Sequence, residues 1–255
     1  MTKKKTKATQ GDIWSGAVVF CDGASSGNPG PGGWGTIVYT PDGMIRELGG
    51  RAAETTNNKM ELLGAIEGLR ELRDFDGDVT IATDSTYVIR GITQWIWAWR
   101  SRDWKTAEGA DVANREFWEE LSRLVSARKK KGGTLEWRYV RGHQGTPGNE
   151  RVDAIAVAFS KGKWVDLYEG PLLKYEYAIT DLPENMELPE MRPREAPGDP
   201  SQKKPVWYLS LVNDQLEKHT DWKSCEARVK GRPGAKFKKV SSPEEEAAVL
   251  KGWGV

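Results

Sequence analysis

Four carboxylates occupy four different sequence settings. Asp22 follows an apolar run in AVVFCDGASSGNPGPGG, Glu61 sits in TTNNKMELLGAI, Asp84 closes VTIATD, and Asp153 lies in RGHQGTPGNERVDAIA. Carboxylates are hard oxygen donors, the ligand type that Mg2+ takes while keeping several of its waters. Four of them drawn to one point would raise one another's pKa values, a cost that divalent cations relieve. Two such ions about 3.5–4 Å apart clamp the attacking and leaving oxygens of an in-line displacement at a phosphodiester. His143, ten residues before Asp153 in a Gly-rich loop, supplies a side chain suited to accepting and returning protons near neutral pH. An isolated histidine more often packs or makes a surface hydrogen bond, so its setting between these acids is what singles it out.

The elements that must position these groups are legible from residue patterning. Ala17–Asp22 reads as a strand ending on an acid, followed by the turn-forming SSGNPGPGG; Trp34–Thr40 and Met44–Gly50 read as two further strands joined at Pro41-Asp42-Gly43. Apolar residues at helical spacing from Met60 to Leu72 place Glu61 on an amphipathic helix over Asn58–Leu72. Val79–Thr83 is a β-branched strand delivering Asp84, with a helix starting at Ser85. A tryptophan-rich segment, a helix over Asn114–Lys131, a strand over Leu135–Val140 and a final helix carrying Asp153 complete the order. Such an order predicts a mixed sheet with helices packed on it, an α/β or α+β layered domain.

The chain of 255 residues, 38% hydrophobic, is long enough for one sizeable core and a small second one. A mean hydropathy of -0.64 and the lack of any apolar run near 20 residues exclude a membrane-spanning helix. The start MTKKKTKATQ has no apolar stretch of the secretory kind, and the two cysteines, Cys21 and Cys225, fall in separate regions. A reducing, cytoplasmic setting and a monomer are expected. Net charge of +1 conceals segregation: residues 1–10 carry four lysines and no acid, residues 165–200 carry 3 basic against 9 acidic side chains, and residues 201–255 carry 11 against 7. Both ends are candidate contacts for nucleic acid, although lysine-rich termini also serve simple solubility. The organisation expected is a lysine-rich tail (1–14), a first domain (15–164), an acidic Pro-rich linker (165–202) with partial packing near Leu172–Ile179, and a compact last unit (203–255).

From about Ala17 to Phe159 the chain resembles type 1 ribonuclease H, the bacterial HI class. The resemblance rests on CDGASSGNPGPGGWG, TTNNKMEL, TDSTYV, GITQWI, WKT and the spaced GH, NE and D of GHQGTPGNERVD. It implies the ribonuclease H-like fold, with a five-stranded mixed sheet and flanking helices, plus a small α+β domain. It also implies endonucleolytic hydrolysis of the RNA strand of RNA–DNA hybrids by two metal ions, leaving 3′-hydroxyl and 5′-phosphate ends. Mg2+ is the expected cofactor, with Mn2+ as a substitute. By this resemblance Asp22, Glu61, Asp84 and Asp153 are the metal-binding acids, and His143 assists proton transfer or product release. Asn28, Asn57 and Asn58 match hybrid-contacting positions. The Asn57-Asn58 pair also suits a helix cap, with Glu61 compatible with a capping box. Thr56 and Ser85 are candidate phosphate or sugar contacts, while Thr86 stands where relatives commonly carry glutamine.

Trp95, Trp99 and Trp104, with Lys105, match the tryptophans and basic character of the family's handle, which grips the DNA strand; helix packing is the competing role for the rings. Glu108 and Asp111 make this handle less basic than usual. Residues 206–251 resemble the hybrid-binding domain shared with viroplasmin-like proteins, through VWYLSLV and DWKSCEARVKGRPGAKFKKV. Tyr208, Trp222, Phe237, Lys238 and Lys239 match its contact positions, with double-stranded RNA a second candidate ligand and a protein–protein module the competing role. The domain usually precedes the nuclease and here follows it, and Arg232 stands where an aromatic is usual. Two other readings stay open at this point: a non-catalytic hybrid- or duplex-RNA-binding protein, and a DNA-cleaving nuclease of the resolvase or integrase type.

Overall fold

The computed structural model describes residues 14–190 and 206–254. The expected tail lies outside the described residues apart from Trp14, as do residues 191–205, which hold the rest of the expected linker. The chain divides into two compact units, residues 1–189 and 190–255.

In the first unit, β1 (Ala17–Ser25), β2 (Gly30–Thr40) and β3 (Met44–Thr55) form an antiparallel meander. Helix α1 (Asn57–Glu71) buries Met60, Leu62, Ala65, Ile66 and Leu69, the stripe that its apolar spacing demands. Its cap is Thr56, whose side chain accepts from the Lys59 amide, so Asn57 and Asn58 are already helical and Glu61 takes no part in a capping box. Strand β4 (Val79–Thr83) is buried at all five positions, as befits a parallel strand covered on both faces. It is followed by α2 (Thr86–Arg90), a π-helical turn (Gly91–Trp95), α3 (Ile96–Ser101), α4 (Arg115–Lys130), β5 (Leu135–Tyr139) and α5 (Pro147–Ser160).

The sheet has six strands, ordered β5-β4-β1-β2-β3-β6, rather than the five expected. The addition is β6 (Glu169–Pro171), antiparallel to Met44–Arg46 at the β3 edge. It belongs to a stretch whose acidic, Pro-rich composition reads as linker. Composition averages over position, and here a few apolar residues fall where an uncovered sheet face needs them. Leu172, Tyr175, Tyr177, Ile179, Leu182 and Met186 pack on the core around Val18, Phe20, Ile37 and Val152, and Ile179 is fully buried. The opposite sheet face, with Val19, Cys21 and Ile81, packs against α1 and α4.

The second unit contains β7 (Trp207–Val212), β8 (Gln215–His219), α6 (Trp222–Val229), β9 (Lys236–Val240) and α7 (Pro243–Trp253). Its sheet is antiparallel in the order β8-β7-β9. The β7–β8 hairpin turns at Asn213-Asp214, both with positive φ (51° and 60°), the two-residue geometry that follows strand twist. Asp221 and Ser242 cap the two helices. Among the described residues no helix is long and apolar enough to cross a membrane.

Candidate active site

Strand register accounts for the meeting of the first two acids. β1 and β4 run parallel with Phe20 beside Ala82. Asp22 and Asp84, each two residues further on, therefore stand level on neighbouring chains. β1 continues to Ser25, paired with β2, whereas β4 stops at Thr83, so the sheet opens where both acids emerge. Two glycines let the helices close in. A Cβ on Gly23 would lie 2.2 Å from the Glu61 amide, and one on Gly35 would lie 2.5 Å from the Val152 carbonyl oxygen. Helices α1 and α5 thus sit directly on the strands, carrying Glu61 and Asp153 to the same end.

The acids feel one another. Burial first, and then the charges of Asp84, Asp153 and Glu61, push Asp22 up to about 8 against the pull of the Gly23 amide. That amide donates to Asp22 Oδ1 at 2.7 Å. Burial likewise raises Glu61, with Asp84 adding to it and the Ser85 hydroxyl and Asn57 amide opposing. Asp84 is raised by burial and by Asp153, while Asn149 and the nearby His143 work the other way. Like charges held together out of water are the pattern expected of a cation site.

The donors suit such a cation, although no three His, Cys, Asp or Glu side chains among the described residues close into a ready-made ligand set. Internal hydrogen bonds occupy part of the set. Glu61 Oε1 accepts from Asn57 Nδ2 at 2.8 Å and Oε2 from Ser85 Oγ at 2.6 Å. Asp84 Oδ2 accepts from Asn149 Nδ2 at 3.3 Å. A magnesium-type ion needs only one or two carboxylates and retains waters, so a complete cage is not required of the protein. Asn149 Oδ1, buried without a hydrogen-bond partner, leaves a further oxygen acceptor at the site.

The other expected residues fall in two classes. His143 is exposed in the β5–α5 loop, with φ of 52°, close enough to Asp84 to affect its charge. Asn28 and Asn58 are exposed, while Asn57 is engaged with Glu61. Trp95, Trp99 and Trp104 are largely packing residues. Trp95 and Trp99 lie 5.7 Å apart, Trp99 and Trp118 lie 5.3 Å apart, and Trp104 is buried. Lys105 forms an exposed ion pair with Asp111 at 2.5 Å. Asn149 is the residue that sequence reasoning passed over. It stands in the quoted NE pair, and its signal was a polar side chain in the first turn of the helix that carries Asp153. Ser85, expected at phosphate or sugar, holds Glu61 and caps α2.

In the second unit, the Tyr208, Trp222 and Phe237 rings form a row, with centroids 5.6 and 5.3 Å apart. Trp222 and Phe237 are exposed, and β9 sets Lys239 opposite Tyr208 and Lys238 opposite Leu209. Strand alternation therefore puts Lys239 and Phe237 on the aromatic side and Lys238 on the other.

Comparison with known proteins agrees with this architecture. The family described as RNase H matches residues 15–161, and that described as Ribonuclease H1 N-terminal domain matches residues 219–248. A ribonuclease H from a Cyanothece species is 48% identical over 151 residues, covering 58% of this chain and 92% of the relative. The ribonuclease HI of Pseudomonas syringae pv. tomato is 50% identical over 138 residues, covering 54% of this chain and 87% of the relative. Among solved structures, LC9-RNase H1, a type 1 RNase H with the type 2 active-site motif, is 32% identical with a TM-score of 0.52, covering 62% of this chain and 79% of its own. A foamy viral protease-reverse transcriptase in complex with RNA/DNA hybrid shares the fold, with a TM-score of 0.52 at 19% identity over 64% of this chain and 22% of its own. With more than half of its length matched, and a match to the Ribonuclease H1 N-terminal domain family after it, this chain belongs to the ribonuclease H family of endonucleolytic hydrolases.

Proposed function

We propose that this protein hydrolyses the RNA strand of RNA–DNA hybrids, leaving 3′-hydroxyl and 5′-phosphate ends. The observation that carries the reading is the convergence of Asp22, Glu61, Asp84 and Asp153 at one end of the sheet, with burial first and mutual charge second raising the first three. When bound, a pair of Mg2+ ions, or Mn2+ in their place, would supply Lewis-acid stabilisation of the attacking and leaving oxygens. Asp22, Glu61, Asp84 and Asp153 would hold them, trading mutual repulsion for attraction to a cation. Glu61 also acts on the substrate. Fixed by Asn57 and Ser85, its carboxylate helps place the 2′-hydroxyl that distinguishes RNA from DNA. Asn28 and Asn58 contact the hybrid groove. His143, exposed on its loop, carries protons to and from the site, so His143→Ala should lower kcat about 10²-fold with KM little changed.

The tryptophans of the handle support its shape more than they contact DNA, and Lys105 grips weakly because Asp111 holds it. Hybrid affinity then falls largely to the second unit. There Tyr208, Trp222 and Phe237 pack on sugars, while Lys238 and Lys239 neutralise phosphates. Tethering two modules raises the effective concentration of the nuclease on a bound hybrid. In this reading the enzyme is a cytoplasmic monomer, and duplex RNA is a weaker ligand of the second unit. Digestion of labelled hybrid, duplex RNA and duplex DNA in Mg2+ tests the proposal. Cleavage confined to the RNA strand of the hybrid is expected; cleavage of duplex DNA, or binding without cleavage, would select one of the competing functions.

A further inference from the structure

The family match ends at residue 161, yet the compact nuclease unit runs on to Pro189. The extra segment is tied across the whole domain. Its strand Glu169–Pro171 extends the sheet at β3, its Ile179 is fully buried beside Phe20 and Val152, and its Met186 carbonyl accepts from the Tyr139 amide of β5 at 3.1 Å. Arg90, at the end of α2, donates to the Pro189 carbonyl.

One contact within this strap concerns the helix that carries Asp153. Glu47 of β3, its side chain fully buried, receives a two-pronged grip from Arg151 of α5, Nε to Oε1 at 2.7 Å and Nη2 to Oε2 at 2.8 Å. The strap completes the coordination: Tyr175 Oη donates to Glu47 Oε1 at 2.5 Å and the Tyr168 amide to Oε2 at 3.0 Å. Arg151 Nη2 also donates to the Asp166 carbonyl at 3.2 Å, and its guanidinium lies 4.8 Å from the Tyr177 ring centroid. Arg151 is therefore held on several sides, by a strand and by the strap. Two residues along an α-helix is a turn of about 200°, so Arg151 and Asp153 project from nearly opposite flanks of α5. Any roll of the helix that moves one moves the other.

We infer that the segment Val165–Pro189 is a positioning element of the nuclease, fixing the roll of α5 through the Glu47–Arg151–Tyr175 clamp and thereby the place of Asp153. A planar fork on a buried carboxylate permits one orientation, whereas apolar contacts alone tolerate sliding. The strap thus contributes to the acid centre without touching it. The inference rests on Asp153 serving as a working acid in the function proposed above.

The test uses full-length Tyr175→Phe, Arg151→Lys and, as a control, Ile179→Ala, assayed at a temperature where circular dichroism shows all of them folded. Tyr175→Phe removes one hydroxyl from the clamp, and Arg151→Lys keeps the charge but loses the fork. Displacement of a reacting group by a fraction of an ångström costs rate steeply, so kcat should fall about five- to tenfold with KM for hybrid within about twofold. Calorimetric titration with Mg2+ alone should show weakened binding by a similar factor. Ile179→Ala should lower Tm yet leave kcat and Mg2+ affinity near wild type. Wild-type values in both clamp variants, or an equal loss of kcat in Ile179→Ala, would reduce the strap to plain stabilisation and overturn the inference. If the wild-type protein cleaves no hybrid, the proposed function itself fails, and the calorimetric comparison still decides the role of the strap.

Discussion

Two buried carboxylates less than one domain apart have been treated in opposite ways. Glu47 is enclosed with its own cation: burial would raise it, but the Arg151, Tyr175 and Tyr168 hydrogen bonds and the Arg151 charge outweigh that and hold it below the usual carboxylate range. Asp22 is enclosed with other acids and one backbone amide, and it is pushed up to about 8. The first site is complete within the chain and holds α5 in place. The second is electrostatically unfinished, and in the proposed function divalent cations supply its missing charge. Burial alone therefore says little about the purpose of an acid; the sign of its neighbours decides it.

That contrast can be broken experimentally. The largest expected effect is at the unfinished site: Asp22→Asn or Asp84→Asn should reduce cleavage by at least ~10³-fold in a labelled-hybrid assay, with hybrid affinity by fluorescence anisotropy nearly intact. Full cleavage by either variant would remove the acid centre from the mechanism. At the finished site, removing the carboxylate altogether should cost stability in addition to the positioning of α5. Glu47→Ala strands Arg151 without its partner and should cost about 3 kcal/mol in a denaturant titration.

The two sites should also respond to pH with opposite sign. A raised folded-state pKa means that the contribution of Asp22 to stability is present below its unfolded value near 3.8 and is lost as pH rises through about 8. For Glu47, lowered in the fold, the contribution is present above its unfolded value and is lost as pH falls through the lowered one. In the metal-free protein Asp22→Asn should raise stability at pH 8–9 by roughly 1–2 kcal/mol, and so flatten the decline of Tm with rising pH. An Asp22→Asn variant less stable than wild type throughout that range would contradict the account.

The smallest expected effect lies in the second unit, where charge is exposed rather than enclosed. Lys238→Ala with Lys239→Ala should weaken hybrid binding several-fold at low salt and lower the slope of log affinity against log salt by about one for each of the two that meets a phosphate. Because the two lysines lie on opposite faces of β9, unequal single-variant slopes would show which face meets the hybrid.

Much of this was open to reading in the chain itself. The Glu61 helix and the antiparallel meander follow from local pattern, because side-chain period and turn residues act over a few neighbours; the acids and the histidine loop stand out through the motifs that carry the family resemblance. Local pattern could not report which strands would be adjacent, and hence that Asp22 and Asp84 would stand level. Nor could it report that the Trp99 ring would pack beside Trp118, a contact that joins residues far apart in the chain. Asn149 escaped notice for the same reason: its partner, Asp84, is 65 residues away.

The segment after residue 164 marks the boundary most sharply. Its composition determined that it would be acidic, Pro-rich and poor in periodic structure, and its described residues are so. Only the folded domain decided that Tyr175, Tyr177 and Ile179 would meet an uncovered sheet face and a buried Glu47–Arg151 pair. Periodicity records how a segment pairs with itself, whereas burial depends on what surface the rest of the chain leaves open.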